Sequence, residues 1–170
     1  MPYFISLVVI CAMIKTFVAG DGLIGGAVNS LLGTQGSLLD RPNCFVPIYI
    51  ISNIWQGVGW DSIIYVAALS GVSMELYEAA EIDGCGRWNK MRYVSLPGIA
   101  TTIIIMFILK VGGMLSVGYE KIILLYNPLT YETADVINSY VYRKGIQEFN
   151  YSYSTAVGLF NSVVNFLLLI

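Results

Sequence analysis

The chain has 170 residues, 56% of them hydrophobic and 12% charged, about half the charged share of an ordinary soluble domain. That balance is typical of a membrane protein, and nine Lys plus Arg against eleven Asp plus Glu, net −2, gives no basic footprint for nucleic-acid phosphates. With no histidine, the His-based hydrolase triad, the zinc-protease helix and the usual neutral-pH proton relay are excluded. The three scattered cysteines, Cys11, Cys44 and Cys85, suggest neither a zinc site nor a disulfide framework.

A bilayer core about 30 Å thick needs about 20 mostly apolar residues in a helix, and four stretches qualify. The first, residues 3–19, closes at the turn signal Gly20-Asp21-Gly22. It lacks the charged start and small-residue cleavage site of a signal peptide and reads as a spanning helix. Gly20-x-Gly22-x-x-Gly25, with Asp40 further on, matches the spacing of a dinucleotide fingerprint, but no strand-helix-strand context surrounds it. These glycines predict a flexible turn outside the membrane.

The second stretch, residues 46–72, carries Trp55, Trp60 and Asp61, and its length allows tilt or a break near Gly57 and Gly59. The third, residues 98–117, runs through Ile103, Ile104 and Ile105 to Lys110. The fourth begins near Ser154 and is still apolar at Ile170. Because both ends of the sequence sit in apolar runs, the expectation is a piece of a longer chain. Four crossings place connections 20–45 and 118–153 on one side and 73–97 on the other. Arg87, Lys90 and Arg92 in the short middle connection, against Arg41, Lys121, Arg143 and Lys144 in the longer two, lean toward a cytoplasmic middle loop.

Asp61 and Lys110 are ionisable residues at membrane depth, where a functional role is the default expectation. They are candidates to line a solute path or to pair with each other; the plainer alternative has Lys110 snorkelling to an interface and Asp61 in a wet break. Trp55, Trp60, Tyr65, Tyr119 and Tyr126 could stack on sugar rings, although such residues are more often interfacial anchors and packing.

The middle connection is too polar to span. Ser73 can cap a helix whose first turns hold Glu75 and Glu78, and Asp83-Gly84 ends it because glycine accepts the left-handed conformation after a helix. A second short helix, residues 86–94, places Trp88, Met91 and Arg92 on one side and Arg87 and Lys90 on another, until Pro97 stops it. Ala79 and Ala80 would let another backbone approach, and Trp88 and Met91 need cover.

These residues resemble a known family. Glu78-Ala79-Ala80, Gly84 and Leu96-Pro97 look like the signature loop of the binding-protein-dependent permeases of ATP-binding-cassette importers, which have the MetI-like fold. The family pattern is E-A-A, three residues, G, nine residues, I, one residue, L-P; here Val94 stands in the Ile position. The resemblance implies an all-α integral membrane protein, a multi-helix transmembrane bundle. It also implies that the loop at 73–97 lies in the cytoplasm and docks into a separate ATPase subunit. Glu78, Ala79 and Ala80 would belong to the docking helix, Asp83 and Gly84 to the bend, and Leu96 and Pro97 to the return into the membrane.

The implied partners are ATPase subunits, a second permease chain, an extracellular solute-binding protein and lipid, in the inner membrane of a prokaryotic cell. No G-x-x-x-x-G-K-[ST] stretch occurs in the sequence, so ATP would be bound by the partner, and this subunit is expected to be neither an enzyme nor a cofactor carrier. Ile54-Trp55, Val58-Gly59-Trp60 and the stretches 124–129 and 155–160 resemble the carbohydrate subgroup, importers of oligosaccharides such as aldouronates. The competing reading is an ion-gradient-driven secondary transporter or channel with Asp61 and Lys110 as its charged elements. An intramembrane enzyme ranks last.

Overall fold

The computed structural model describes residues 2–114 and 118–169; Met1, Val117 at the end of the third expected span, and Ile170 lie outside the described residues. The chain opens on a single 3₁₀ turn, Pro2–Phe4, followed by α1 (Leu7–Val18) and α2 (Leu23–Leu32). Together α1 and α2 form an apolar stretch of 26 residues, Leu7–Leu32, with mean hydropathy 2.0 over its most apolar 18-residue window. The first span therefore starts later than residue 3 and runs on past the glycine turn, where the sequence predicted a stop.

Steric contact explains why the turn does not behave as a flexible linker. The Gly22 amide donates to the Ala19 carbonyl at 2.9 Å. A Cβ on Gly22 would lie 2.3 Å from the Thr16 carbonyl oxygen, and one on Gly25 would lie 1.9 Å from that of Ala19. The glycines are there because backbone rests on backbone.

α2 ends at Gly33, which takes the left-handed cap at φ 63°. The following loop is organised by Asn29, buried at 8% exposure. Its Nδ2 donates to the Gly36 carbonyl at 2.9 Å, while Oδ1 accepts from Thr34 Oγ1 at 3.0 Å and Arg41 Nη2 at 2.8 Å. A 3₁₀ turn, Leu38–Asp40, leads into α3 (Pro42–Ser70), whose first residue is a proline pre-set for helix entry. α3 has 29 residues and is unbroken at Gly57 and Gly59. A glycine in a helix costs about 1 kcal/mol against alanine, too little to interrupt a helix of this length.

Beyond α3 the chain bends by 71° into α4 (Met74–Ile82). It then passes through α5 (Arg87–Lys90), a wide π turn at Met91–Ser95 and α6 (Leu96–Gly98), and bends by 63° into α7 (Ala100–Gly112). Pro97 was expected to stop the second loop helix, but the helix continues through it. The wide turn carries the Leu96 amide back to the Met91 carbonyl, shifting the bonding register just ahead of the residue that has no N–H to donate. Among the described residues, two helical stretches, Leu7–Leu32 and Tyr151–Leu169, can cross a membrane by length and composition, or up to four if each bent pair is one span.

The long connection after α7 is structured, not plain: α8 (Tyr119–Leu125), α9 (Tyr131–Ala134) and α10 (Ile137–Tyr142), then a wide turn Arg143–Gln147 and the spanning helix α11 (Tyr151–Leu169). The hydrophobic core joins Cys11 and Val18 of α1, Leu38, Leu39 and Phe45 around the start of α3, Ile122 and Leu125 of α8 and Ala134 of α9. Polar contacts tie the same region: Asn127 Nδ2 donates to Asp40 Oδ1 at 2.7 Å and Thr133 Oγ1 to the Pro42 carbonyl at 3.1 Å. The two outer connections thus pack against each other. Arg143 adds a staple, hydrogen-bonded to Asp135 and 4.5 Å above the Tyr131 ring; the Asp135 carboxylate pushes its guanidinium further above the usual arginine range.

Candidate functional site: a protruding loop and a groove on one helix

Two regions carry the sequence-predicted residues. At the loop, the Ser73 hydroxyl accepts from the Glu75 amide at 3.3 Å and starts α4. Gly84 ends it with φ +75°, its amide donating to the Glu81 carbonyl at 3.0 Å and that of Cys85 to the Ala80 carbonyl at 2.9 Å. The second loop helix folds back against α4: Tyr77 Oη and Ser95 Oγ share a hydrogen bond of 2.9 Å, and Lys90 pairs with Glu81 at 3.1 Å. That ion pair is half in solvent and is worth about 0–1 kcal/mol. A Cβ on Gly98 would lie 2.8 Å from Val72 Cγ2, so the two ends of the loop are pressed together.

The loop is therefore a fixed shape with an open surface. Glu78, Ala79, Asp83, Gly84, Leu96 and Pro97 are exposed and Ala80 is half-buried. Ile82 and Trp88 are 88% and 79% exposed.

The second region is one face of α3. Asn53, Gly57, Asp61 and Tyr65, each one helical turn from the next, line a groove of about 480 Å³. Asp61 pairs with Lys110 of α7, Nζ to Oδ2, at 3.2 Å, the pairing expected as one reading of these two residues; α3 has no wet break for Asp61 to occupy. At the Asn53 end, Lys121 of α8 is buried at 3% exposure and donates to Asn53 Oδ1 at 2.9 Å and Gln56 Oε1 at 3.3 Å.

Trp55 and Trp60 do not join this face. Trp55 lines a separate, wholly apolar cavity of about 300 Å³ with Ile10, Ile14 and Phe17 of α1. Trp60 stacks on Tyr3 at 4.7 Å with parallel rings and meets Phe4 edge-on, so one of its flat faces is covered within the chain. Of the four candidates for a solute path, only Asp61 and Lys110 are brought together. The Lys121 contacts were missed: polar Asn53 and Gln56 at helical spacing were a visible signal, but their lysine lies 65 or more residues away along the chain.

A loop that exposes Ile82 and Trp88 between two bent helix pairs, each apolar enough to be a span, is the architecture of a membrane protein. The sequence matches, over residues 1–170, the family described as "Binding-protein-dependent transport system inner membrane component". The chain belongs to that family of transport permeases. Among curated relatives it is 41% identical over 169 residues to Protein LplB of Bacillus subtilis, covering 99% of this chain and 53% of that one. It is 38% identical over 171 residues to the polygalacturonan/rhamnogalacturonan transport system permease protein YteP of the same organism, covering 98% and 52%. The chain thus spans about half the length of these relatives.

Among solved structures, it superposes on a chain of a bacterial ABC transporter involved in the import of the acidic polysaccharide alginate. The TM-score is 0.93 and the identity 42%, over 99% of this chain and 59% of that one. The same similarity holds for that transporter in complex with its alginate pentasaccharide-bound periplasmic protein. The all-α permease architecture expected from the sequence is thereby established.

Proposed function

We propose that this protein is the permease subunit of an ATP-driven, binding-protein-dependent importer of oligosaccharides in the inner membrane of a prokaryotic cell. The observation that carries the proposal is the loop at 73–97, with Ile82 and Trp88 exposed and with Glu78, Ala79, Ala80, Asp83, Gly84, Leu96 and Pro97 in the family's order. The loop lies in the cytoplasm and fits into a cleft of a separate ATPase, which binds and hydrolyses the ATP. ATP-driven closure of two such ATPases carries the loop with it and switches the bundle between inward- and outward-facing states.

On the opposite side, the joined outer connections face an extracellular solute-binding protein, and a second permease chain, identical or related, completes the path. The oligosaccharide assignment is supported by the polysaccharides that give the relatives their names. In the test, the full-length protein is purified gently from its native membrane and its companions are identified. Co-purification of an ATPase and a second permease, with the ATPase lost on replacing Gly84, is the expected result. A protein that is reproducibly alone and moves solute in ATP-free vesicles overturns the proposal in favour of a gradient-driven transporter.

A further inference from the structure

We infer that the tip of the α10–α11 hairpin, led by Phe149, is a docking point for the extracellular solute-binding protein; this rests on the importer reading above. The first observation is a conformation. Phe149 sits at φ 56° and is the one non-glycine residue with positive φ among those described. Helix ends normally give that left-handed position to glycine or asparagine, because a Cβ there crowds the backbone. The tip holds the residue in place. Around it the Asn150 amide donates to the Lys144 carbonyl and the Glu148 amide to the Arg143 carbonyl, both at 3.1 Å, and Asn150 Oδ1 accepts from the Tyr153 amide at 3.3 Å. The Phe149 ring is thereby set out at 73% exposure, with Tyr151 at 61% and Ile146 at 55%. The rings of Phe149 and Tyr151 meet edge to face, 6.4 Å apart. An aromatic residue held in a strained conformation, yet covering little of its own chain, points to a contact made elsewhere.

Position decides what that contact is. The far end of α11 packs on α7, where a Cβ on Gly112 would lie 2.5 Å from Leu169 Cδ2. Further up, Asn161 Nδ2 donates to Asn138 Oδ1 at 2.9 Å, at the start of α10. α10 follows closely on α9, whose Thr133 is bonded to the Pro42 carbonyl. By Asn161, then, α11 has reached the level of the outer end of α3. The same helix continues to Tyr151, ten residues away, about 15 Å further out. α10 runs beside it, the Ser154 hydroxyl donating to the Val141 carbonyl at 3.1 Å.

α3 alone, with 29 residues and a length of about 43 Å, matches a bilayer of about 40–45 Å including its headgroups. The hairpin tip therefore stands in water, clear of lipid. The opening of α11 agrees: Tyr151, Ser152, Tyr153, Ser154 and Thr155 all carry hydroxyls. In water, an aromatic cluster on a rigid hairpin suits a protein surface, where aromatic anchors are enriched and a preorganised tip loses little entropy on docking. The chain's family is binding-protein-dependent, and the importer reading puts that soluble protein on this side. The hairpin's charges are matched internally, Arg143 by Asp135 and Lys144 by Glu148, so the partner offers an apolar pocket, not a charged one.

The experiment uses the full-length importer with its ATPase and partner permease in nanodiscs, titrated with the binding protein purified from the same cells, and reads ATP hydrolysis. Phe149→Asn removes the ring and supplies a residue that accepts the left-handed conformation. It is expected to raise the half-saturating binding-protein concentration about tenfold, with the maximal rate within twofold of wild type and a Tm equal to or above it. Tyr151→Ala shifts half-saturation the same way by about threefold, while Phe149→Tyr stays within twofold. Raising NaCl from about 50 to about 300 mM changes the wild-type value less than threefold, as an uncharged contact requires.

Half-saturation within twofold of wild type in both Phe149→Asn and Tyr151→Ala overturns the inference and leaves the importer reading intact. So does a lowered Tm with a parallel fall in maximal rate, which assigns Phe149 to packing. Quenching by brominated lipid of the emission that Phe149→Trp adds to the wild-type spectrum also overturns it, by placing the tip in the bilayer. A wild-type importer that the binding protein does not stimulate at any concentration removes the importer reading itself, and the inference with it.

Discussion

Replacing Gly84 with proline tests the loop most directly. Gly84 sits at φ +75°, whereas a proline ring holds φ near −65°, so the backbone must rotate by about 140° at the bend. Proline also removes the N–H that donates to the Glu81 carbonyl at 3.0 Å. The second loop helix would leave α4 in another direction, breaking the Tyr77–Ser95 hydrogen bond and the Lys90–Glu81 pair. Alanine is the graded control: an L-residue in the left-handed region costs about 1–2 kcal/mol, which lowers the population of the native loop geometry about 5–30-fold.

The assay is solute uptake and stimulated ATP hydrolysis by the assembled importer in vesicles. The amount of permease in the membrane is measured alongside. Gly84→Pro is expected to insert normally and transport at background, and Gly84→Ala to fall between it and wild type. Normal uptake by Gly84→Pro would refute the assignment of this loop to coupling.

Three further outcomes are expected. Gly25→Val places side-chain carbon where even a Cβ would lie 1.9 Å from the Ala19 carbonyl oxygen, an overpacking of about 1–3 kcal/mol or more. A thiol-reactive dye reads it as a lower Tm through exposure of Cys11, buried at 2%; an unchanged Tm would mean that the α1–α2 turn is loose. Asp61→Lys and Lys110→Asp each leave like charges facing one another and should depress uptake, while the double reversal restores it, with a coupling of about 0.5–3 kcal/mol; additive losses would deny the pair a role. Asn29→Leu strips the loop 33–41 of its bonds to Gly36, Thr34 and Arg41, costing about 1–3 kcal/mol for polar groups left unpaired; limited proteolysis should then cut within 33–41, and wild-type resistance would count against the network.

The sequence made the loop legible because local chemistry builds it. Ser73 caps, Gly84 turns left-handed and the small pair Ala79-Ala80 leaves bulk off one face, all within a few residues of one another. It made the Asp61–Lys110 pair legible as an option because charge at membrane depth is conspicuous. What escaped depends on distant partners. Gly22 and Gly25 look like a loose turn until α1 and α2 are seen touching through their backbones. α8, α9 and α10 are short helices held by tertiary packing, with too few turns to stand out as a periodic pattern. For Trp60 the sequence leaves sugar stacking and packing both open, with packing the commoner role, and only the fold places Tyr3 against it. Pro97 misled because proline ends a regular helix, whereas a wide turn ahead of it accommodates the missing donor.

The unbroken course of α3 has a mechanical consequence. At about 1.5 Å per residue, its 29 residues make a rod about 43 Å long, joined at one end to the bend above α4 and at the other to the cluster around Phe45. A lever of that length converts each degree of tilt into about 0.75 Å of travel at the far end. Pro47, five residues into the helix, removes one backbone rung beside that cluster, so compliance is concentrated at the fulcrum, not along the arm. Asn53, Asp61 and Tyr65 ride on the stiff part of the beam. Small angular strokes delivered from below would therefore sweep the groove sideways as one piece, with each polar group keeping its spacing to the next.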